Sequence, residues 1–297
     1  MKACRSCGSA KLEQVLNLGE QPWGNDFIKI KEKAVAQKYP LRLFFCYSCA
    51  MVQIDYTVAK EKMFVEHSYM SGTTKSLKCH FETVGKSIIE KFDMTGGRIL
   101  DIGGNDGTFL EYFVDLGLDV LNVESGYNQS RTSLEKGIET ANCFFNFESA
   151  VKIKEKYGPI RVIHGSGVLF HLEELQSAFR GIEYLLEDHG VLVAEFIYLP
   201  TMMENCAYDQ IYHEHLLYYS LYSFQGLLAQ FGLEMFDASL TTIHGGSCVA
   251  YVARKGIYEN TSRLEDLLEE EQRNGVDKIE TYRKFAENSK KQKVILK

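Results

Sequence analysis

The sequence predicts an α/β protein: a parallel sheet covered on both faces by helices, preceded by a small β-rich module. Three observations carry this reading. Short apolar runs at residues 98–102, 120–123, 161–163 and 191–197 alternate with helical stretches, the rhythm of strand–helix–strand units. A glycine-rich loop follows the first of those runs directly. Ahead of them lie two cysteine pairs of identical spacing, Cys4-Arg5-Ser6-Cys7 and Cys46-Tyr47-Ser48-Cys49.

Composition sets the outer limits. A chain of 297 residues with 45% hydrophobic and 12% aromatic side chains can fill a substantial core. The formal charge of -7 is spread along the chain, without the basic stripe that would neutralise a phosphate backbone, so a nucleic-acid partner is not expected. No stretch approaches the roughly 18 apolar residues needed to cross a bilayer, and no apolar leader follows Met1-Lys2-Ala3-Cys4. The expected compartment is the cytoplasm, where thiols stay reduced; the eight cysteines then read first as metal ligands or small buried hydrophobes.

The cysteine pairs are the first functional element. Two residues between thiolates let one tight turn present both sulfurs to one ion, and two such turns complete the tetrahedron that zinc prefers. Cys4, Cys7, Cys46 and Cys49 are therefore expected to bind zinc. With every position taken by sulfur the metal has a structural role, while redox-active dithiols are the alternative. Cys79, Cys143, Cys206 and Cys248 stand alone. Gly19, Pro22, Gly24 and the apolar run 41–45 suggest a β-rich module over residues 1–66.

A domain over residues 67–258 follows. An amphipathic helix (81–92) leads into the strand 98–102, the loop, a helix (109–116) and the strand 120–123; helices near 129–136, 150–157 and 172–186 separate the later strands. Ligands of such sheets sit at the carboxyl ends of the strands. The loop reads Asp101-x-Gly103-x-x-x-Gly107, not G-x-G-x-x-G, which suits a single nucleoside better than a dinucleotide and disfavours a nicotinamide dehydrogenase. Asp101, Gly103, Gly104, Asn105, Asp106 and Gly107 are the candidate cofactor contacts, with Glu124 placed to accept hydrogen bonds from ribose hydroxyls. A tight turn with no ligand is the alternative.

The segment 208–221, Tyr-Asp-Gln-Ile-Tyr-His-Glu-His-Leu-Leu-Tyr-Tyr-Ser-Leu, concentrates titratable groups. It is not a zincin site, because H-E-x-x-H sets its histidines four apart on one helical face whereas His213 and His215 are two apart. A locally helical segment would bring Tyr212, His215 and Tyr219 to one face, a plausible proton-transfer site. Packing is the alternative for each; His213 is assigned to structure, and the position after a sheet strand favours function for His215.

On these residues the chain resembles the S-adenosylmethionine-dependent sugar C-methyltransferases of deoxysugar pathways, which join a four-cysteine zinc module to a class I, Rossmann-like methyltransferase domain. The likeness runs from Cys4 to beyond Gly256. It includes Leu18-Gly19 with Pro22 and Asn25, Tyr69-Met70-Ser71-Gly72, the glycine loop, the Y-H-E-H-x-x-Y-x-S-L segment and His244-Gly245-Gly246-Ser247. The resemblance implies methyl transfer to the carbon beside the ketone of a nucleotide-diphosphate 4-keto-deoxysugar. It implies His215 as base, Tyr212 and Glu214 as its helpers and His171 beside the reacting sugar, with Tyr69, Ser71 and His244 as substrate contacts and Ser166 beside the cofactor.

Departures from the family pattern accompany these matches. The chain has His164-Gly165-Ser166-Gly167-Val168 where the family commonly carries paired asparagines, and Val249 where it usually has an arginine. The family's further C-terminal Rossmann-like lobe is expected to be absent, with residues 259–297 a charged, solvated linker helix leading to that lobe or a helix that docks a partner. Two other functions stay open: methylation of oxygen or nitrogen, and a zinc-containing S-adenosylmethionine-binding module without chemistry.

Overall fold

A computed structural model describes residues 2–25 and 36–295; residues 1, 26–35 and 296–297 of the expected segments lie outside that range. In chain order the elements are β1 (Leu12–Pro22), β2 (Lys38–Cys46), β3 (Val52–Ile54), α1 (Lys60–Phe64), α2 (Lys75–Lys91), β4 (Arg98–Ile102), α3 (Thr108–Asp115), β5 (Asp119–Val123), α4 (Tyr127–Glu135), β6 (Thr140–Ala141), α5 (Phe147–Tyr157), β7 (Ile160–Ser166), α6 (Leu175–Leu185), β8 (Leu186–Ile197), α7 (Leu199–Glu204), β9 (Leu217–Tyr218), α8 (Leu221–Ala229), β10 (Leu233–Thr241), β11 (Ser247–Arg254), α9 (Ser262–Asn274) and α10 (Ile279–Ile295).

The larger sheet has seven strands in the order β10-β11-β8-β7-β4-β5-β6. β6, β5, β4, β7 and β8 are parallel, and the β10–β11 hairpin closes the edge antiparallel to β8. The chain runs from β4 outward through β5 and β6, then returns to place β7 on the other side of β4. That reversal opens a crevice at the carboxyl ends of β4 and β7, where ligands of such sheets bind. One face of the sheet packs Ile99, Val162, Val193 and Tyr251 against α2 and α3. The other packs Leu100, Ile163, Leu192 and Phe196 against α5, α6 and α8.

The smaller sheet, β1-β2-β3-β9, is antiparallel and takes its last strand from the far end of the chain. Val52 and Gln53 pair with Tyr218 and Leu217, and Ile54 N–H donates to Leu216 C=O at 3.1 Å. The N-terminal residues therefore share a backbone ladder with the histidine-rich segment. Among the described residues no helix is long and apolar enough to cross a membrane.

The C-terminal tract departs from expectation. It forms two helices, not one solvated linker, and both are packed: Leu264, Val276, Tyr282, Phe285 and Ala286 are buried. Arg283 also pairs with Glu13 of β1 at 2.7 Å. Charged residues at helical spacing dominate the composition, but the apolar minority falls on one face of each helix, and that face decides the packing. Glu271, 2% exposed, reaches the start of α8 and accepts the N–H groups of Leu221 and Tyr222 at 2.7 and 2.8 Å. Burial pushes its carboxyl up, and these amides work against that shift. Glu271→Ala should cost about 1–3 kcal/mol, because two helix-terminal donors lose a charged partner; a urea midpoint that does not move would show that the cap contributes nothing.

Candidate active site and metal centre

At the N-terminus the two cysteine turns are built alike. Gly8 N–H bonds to Cys4 C=O and Ala50 N–H to Cys46 C=O, at 2.9 and 2.8 Å, and both residues that close the turns are left-handed, with φ of 72° and 54°. A turn that doubles back this sharply points both sulfurs inward. The Sγ atoms of Cys4, Cys7, Cys46 and Cys49 lie within 4.8 Å of one another, the compactness that a tetrahedral thiolate site requires. The chemistry of the donors fits as well. The buried Gln53 amide donates to Cys4 Sγ at 3.2 Å, and Gln53 is itself held by Arg5 N–H at 2.9 Å. The Cys49 thiol, the backbone amides of Cys7 and Ser6 and the Gln53 amide draw Cys4 down to about 5 against its burial, while burial pushes Cys46 up and the Cys4 sulfur, together with burial, pushes Cys49 up; the cluster thus favours one thiolate before a metal arrives. Structural zinc needs no more than these four ligands.

Residues 103–107, between β4 and α3, form the candidate nucleoside cradle. Gly103 and Gly107 take φ of 64° and 76°, and Asn105 takes 52°. Gly104 is required by what lies beneath it: a Cβ there would stand 2.5 Å from Asn122 Oδ1 and 2.7 Å from Asp101 Oδ2. Glu124, at the end of β5, is buried with Oε2 accepting Asn105 N–H at 2.9 Å and Oε1 accepting Gly126 N–H at 2.6 Å. Burial raises its pKa and those amides counter the rise. Each carboxylate oxygen keeps lone-pair capacity for a hydroxyl, so the residue fits a ribose diol. Residues 69–72 are stitched onto the loop: Ser71 N–H donates to Asn105 Oδ1 at 3.0 Å, Gly72 N–H to Asp106 Oδ2 at 3.1 Å, and Asn105 Nδ2 to Tyr69 C=O at 3.2 Å. Tyr69 is half exposed at the rim.

The histidine-rich segment is not helical, and this corrects the expectation of one face shared by Tyr212, His215 and Tyr219. Tyr212 and His215 do meet, with ring centroids 3.8 Å apart. Tyr219 turns into the core between Phe196 and Phe224 and donates its hydroxyl to Leu169 C=O at 3.0 Å. His213 packs edge-on against Tyr39. Because the segment begins in a 3-10 turn and ends in a strand, its backbone bonds go to other elements, and the i, i+3, i+7 relation has no geometric meaning there.

His215 stands at the centre of an aromatic box. His171 stacks on it at 5.1 Å, Phe170 meets it edge-on at 4.7 Å, and Phe64 stacks on His171 at 5.5 Å. Nδ1 of His215 lies 2.9 Å from Gln210 C=O. A carbonyl can only accept, so Nδ1 carries the proton and Nε2 is left with the basic lone pair. Burial drives the pKa of His215 well below its ordinary range and that of His171 down to about 3; both rings are neutral near pH 7. His171 Nε2 is shielded and has no hydrogen-bond partner among the described residues.

One short turn connects this box to the cradle. A Cβ on Gly103 would lie 2.7 Å from Val168 Cγ2, and His171 N–H bonds back to Val168 C=O at 2.9 Å. Three residues span at most about 10 Å, so the turn that carries His171 begins against the glycine loop.

Further polar groups cluster where β4, β7 and β8 run side by side; Asp101, Ser166 and His244 are expected from the sequence as site residues, whereas Glu195, His80 and the pairing of His164 are not. His164 Nδ1 lies 2.7 Å from Asp101 Oδ1, with its ring stacked 3.6 Å from Phe109. Glu195, 2% exposed, pairs with His80 Nε2 at 2.9 Å and accepts the Ser166 hydroxyl at 2.8 Å. Burial opposes the Glu195 charge, but His80 and Ser166 outweigh it and hold the carboxyl below its usual range. Ser166 therefore sits at the crevice with its hydroxyl proton already engaged. Burial lowers the pKa of His244, in the β10–β11 turn, with Glu195 opposing the shift and His80 adding to it. The available signal was a lone carboxylate inside an apolar strand, Val191-Leu-Val-Ala-Glu195-Phe-Ile.

Comparison with known proteins agrees with this anatomy. Residues 4–64 match a zinc binding domain, residues 81–238 a methyltransferase domain, and residues 242–296 a C-methyltransferase C-terminal domain. C-methyltransferase NovU of Streptomyces niveus is 26% identical over 286 residues, covering 95% of this chain and 68% of that one. Among solved structures, magnesium protoporphyrin IX methyltransferase (ChlM) from Synechocystis with bound SAM aligns with a TM-score of 0.46 at 12% identity, over 60% of this chain and 79% of that chain. A SAM-dependent methyltransferase from Anabaena variabilis aligns at 0.47 and 12%, over 59% and 84%. The fold and the domain matches define a zinc-containing, S-adenosylmethionine-dependent methyltransferase. The chain belongs to the C-methyltransferase family. The expectation that the C-terminal lobe is absent is overturned, since the C-terminal domain match takes in β11, α9 and α10.

Two outcomes follow. Purified protein should hold one equivalent of zinc, and Cys46→Ser should lose it together with thermal stability, because metal binding and folding of such modules are linked; a metal-free, fully stable protein would contradict the assignment. Between pH 6.5 and about 3 the unfolded chain protonates His171 while the folded chain does not, so stability falls as pH drops through that window. His171→Gln should flatten that slope in urea titrations, and an unchanged slope would show that His171 is not desolvated.

Proposed function

We propose that this chain methylates the carbon beside the ketone of a nucleotide-linked 4-keto-deoxysugar, in the cytoplasm. The observation that carries the reading is the tautomer and setting of His215. Its Nδ1–H is committed to a backbone carbonyl, Nε2 is a neutral lone pair, and the ring is boxed by Tyr212, His171 and Phe170. S-adenosylmethionine supplies an electrophilic methyl carbon when bound, held by the glycine loop, Glu124 and the adjoining Ser166.

A carbon acid becomes nucleophilic only when a base removes its proton and the resulting enolate oxygen is stabilised. His215 Nε2 is the base. Burial raises the Tyr212 phenol above its ordinary value, so it remains a hydroxyl donor toward that oxygen. His171 Nε2, shielded and unpartnered, is the second polar contact for the sugar. A neutral imidazole is a weak base for such a proton, so catalysis depends on these donors lowering the acidity gap. Tyr69, Ser71 and His244 line the route by which the sugar nucleotide would enter. The relationship to NovU supports carbon as the acceptor atom.

The test pairs a labelled-methyl assay across nucleotide 4-keto-sugars with proton exchange in heavy water. The expected result is exchange at the carbon beside the ketone, and loss of both exchange and methyl transfer in His215→Asn with S-adenosylmethionine affinity retained. Turnover without exchange would move the acceptor to oxygen or nitrogen. Turnover retained in His215→Asn would remove the imidazole from the reaction.

A further inference from the structure

Glu214 is held from outside its own segment, and unevenly. Trp23 Nε1–H donates to Oε1 at 2.8 Å and Asn25 Nδ2–H donates to the same atom at 2.5 Å. Among the described residues nothing donates to Oε2. Both donors come from the chain just past β1, 191 and 189 residues away in sequence. Trp23 is locked in turn: it is 8% exposed and packs with Tyr39, Val58 and Met63. Glu214 is equally buried and immediately precedes His215.

A glutamate rotates about three side-chain bonds and gives up that freedom only at a cost in free energy. Two N–H donors on one oxygen, one of them a rigid indole packed in its own apolar cluster, remove the freedom before any ligand arrives. The other oxygen is then a fixed acceptor within electrostatic reach of the Tyr212 phenol, which itself meets the His215 ring. Preorganisation of this kind concentrates binding free energy on the ligand's matching donor. The donor that suits a carboxylate oxygen in this crevice is a hydroxyl of the sugar.

We propose that Trp23 and Asn25 are positioning residues of the active site: by holding Oε1 of Glu214 they aim Oε2 at a hydroxyl of the acceptor sugar, so that the zinc-tied module takes part in substrate recognition. This rests on the keto-sugar reading above. It assigns the module a task beyond stability, since deleting a single N–H from a residue of β1's end should then be felt at a carbon held by the other domain.

The experiment exploits the fact that Trp23 is the only tryptophan in the chain. In otherwise native protein, Glu214→Gln should shift the tryptophan emission, because it changes the partner of the indole N–H; unchanged emission would overturn the contact. Trp23→Phe keeps the apolar body and deletes the donor. It should lower kcat/KM for the keto-sugar by about ten- to hundredfold, the loss expected for one hydrogen bond to a charged group, with zinc content and S-adenosylmethionine affinity unchanged. The double variant Trp23→Phe/Glu214→Gln should be no slower than Glu214→Gln alone, since both changes break one unit. Additive losses would show that Trp23 acts on stability only, and overturn the proposal. Should Trp23→Phe fail to fold, Asn25→Ala carries the same cycle. If the wild-type chain methylates no keto-sugar, the proposed function and the positioning role fall together; if it does and the cycle is additive, only the positioning role falls.

Discussion

The pairing of β3 with β9 is the constraint on which the site depends. Residues 211–216 carry the imidazole, the phenol and the carboxylate, yet they form no regular structure of their own. Buried backbone groups must still find partners, and here they come from every side: Ile54 bonds to Leu216 C=O, Phe170 C=O receives the N–H groups of Leu216 and Leu217, and Glu271 caps the helix that follows. Three distant parts of the chain thus determine the direction in which His215 points. An irregular segment held in this way can place side chains at angles that neither helix nor strand would allow, which is the reason to expect chemistry there.

The parallel sheet was legible because its strands are short, apolar and separated by helices of ordinary length. The strand at 98–102, the glycine loop and the helix behind it lie where pattern alone puts them. The zinc site was legible for a different reason: thiolate spacing specifies a coordination geometry directly, with no need to know the fold. Glu124 was placed by its position after a strand. These readings share a feature, in that each rests on contacts between residues close in sequence or on a ligand that brings the residues together.

What was not legible depended on contacts across the chain. Tyr219 was grouped with His215 on an assumed helical period, and the segment's true shape comes from β3 and Phe170, which local spacing cannot reveal. The C-terminal tract looked solvated because charge dominates its composition; Leu264, Tyr282 and Phe285 show that a narrow apolar stripe suffices to bury a helix. The Glu195–His80–Ser166 and Asp101–His164 pairs join residues 29 to 115 positions apart, so no window of sequence contains them.

The joining of residues 52–54 to residues 216–218 also has a meaning in time. During synthesis the first three strands of the small sheet emerge early, but their fourth strand arrives more than a hundred and fifty residues later, on the order of ten to thirty seconds at about 5–20 residues per second. Through that interval the hydrogen-bonding edge of β3 stays open, a template for pairing with other chains. Early capture of zinc by the four thiols would tie that nascent edge into a compact knot and shorten the period in which it can pair wrongly.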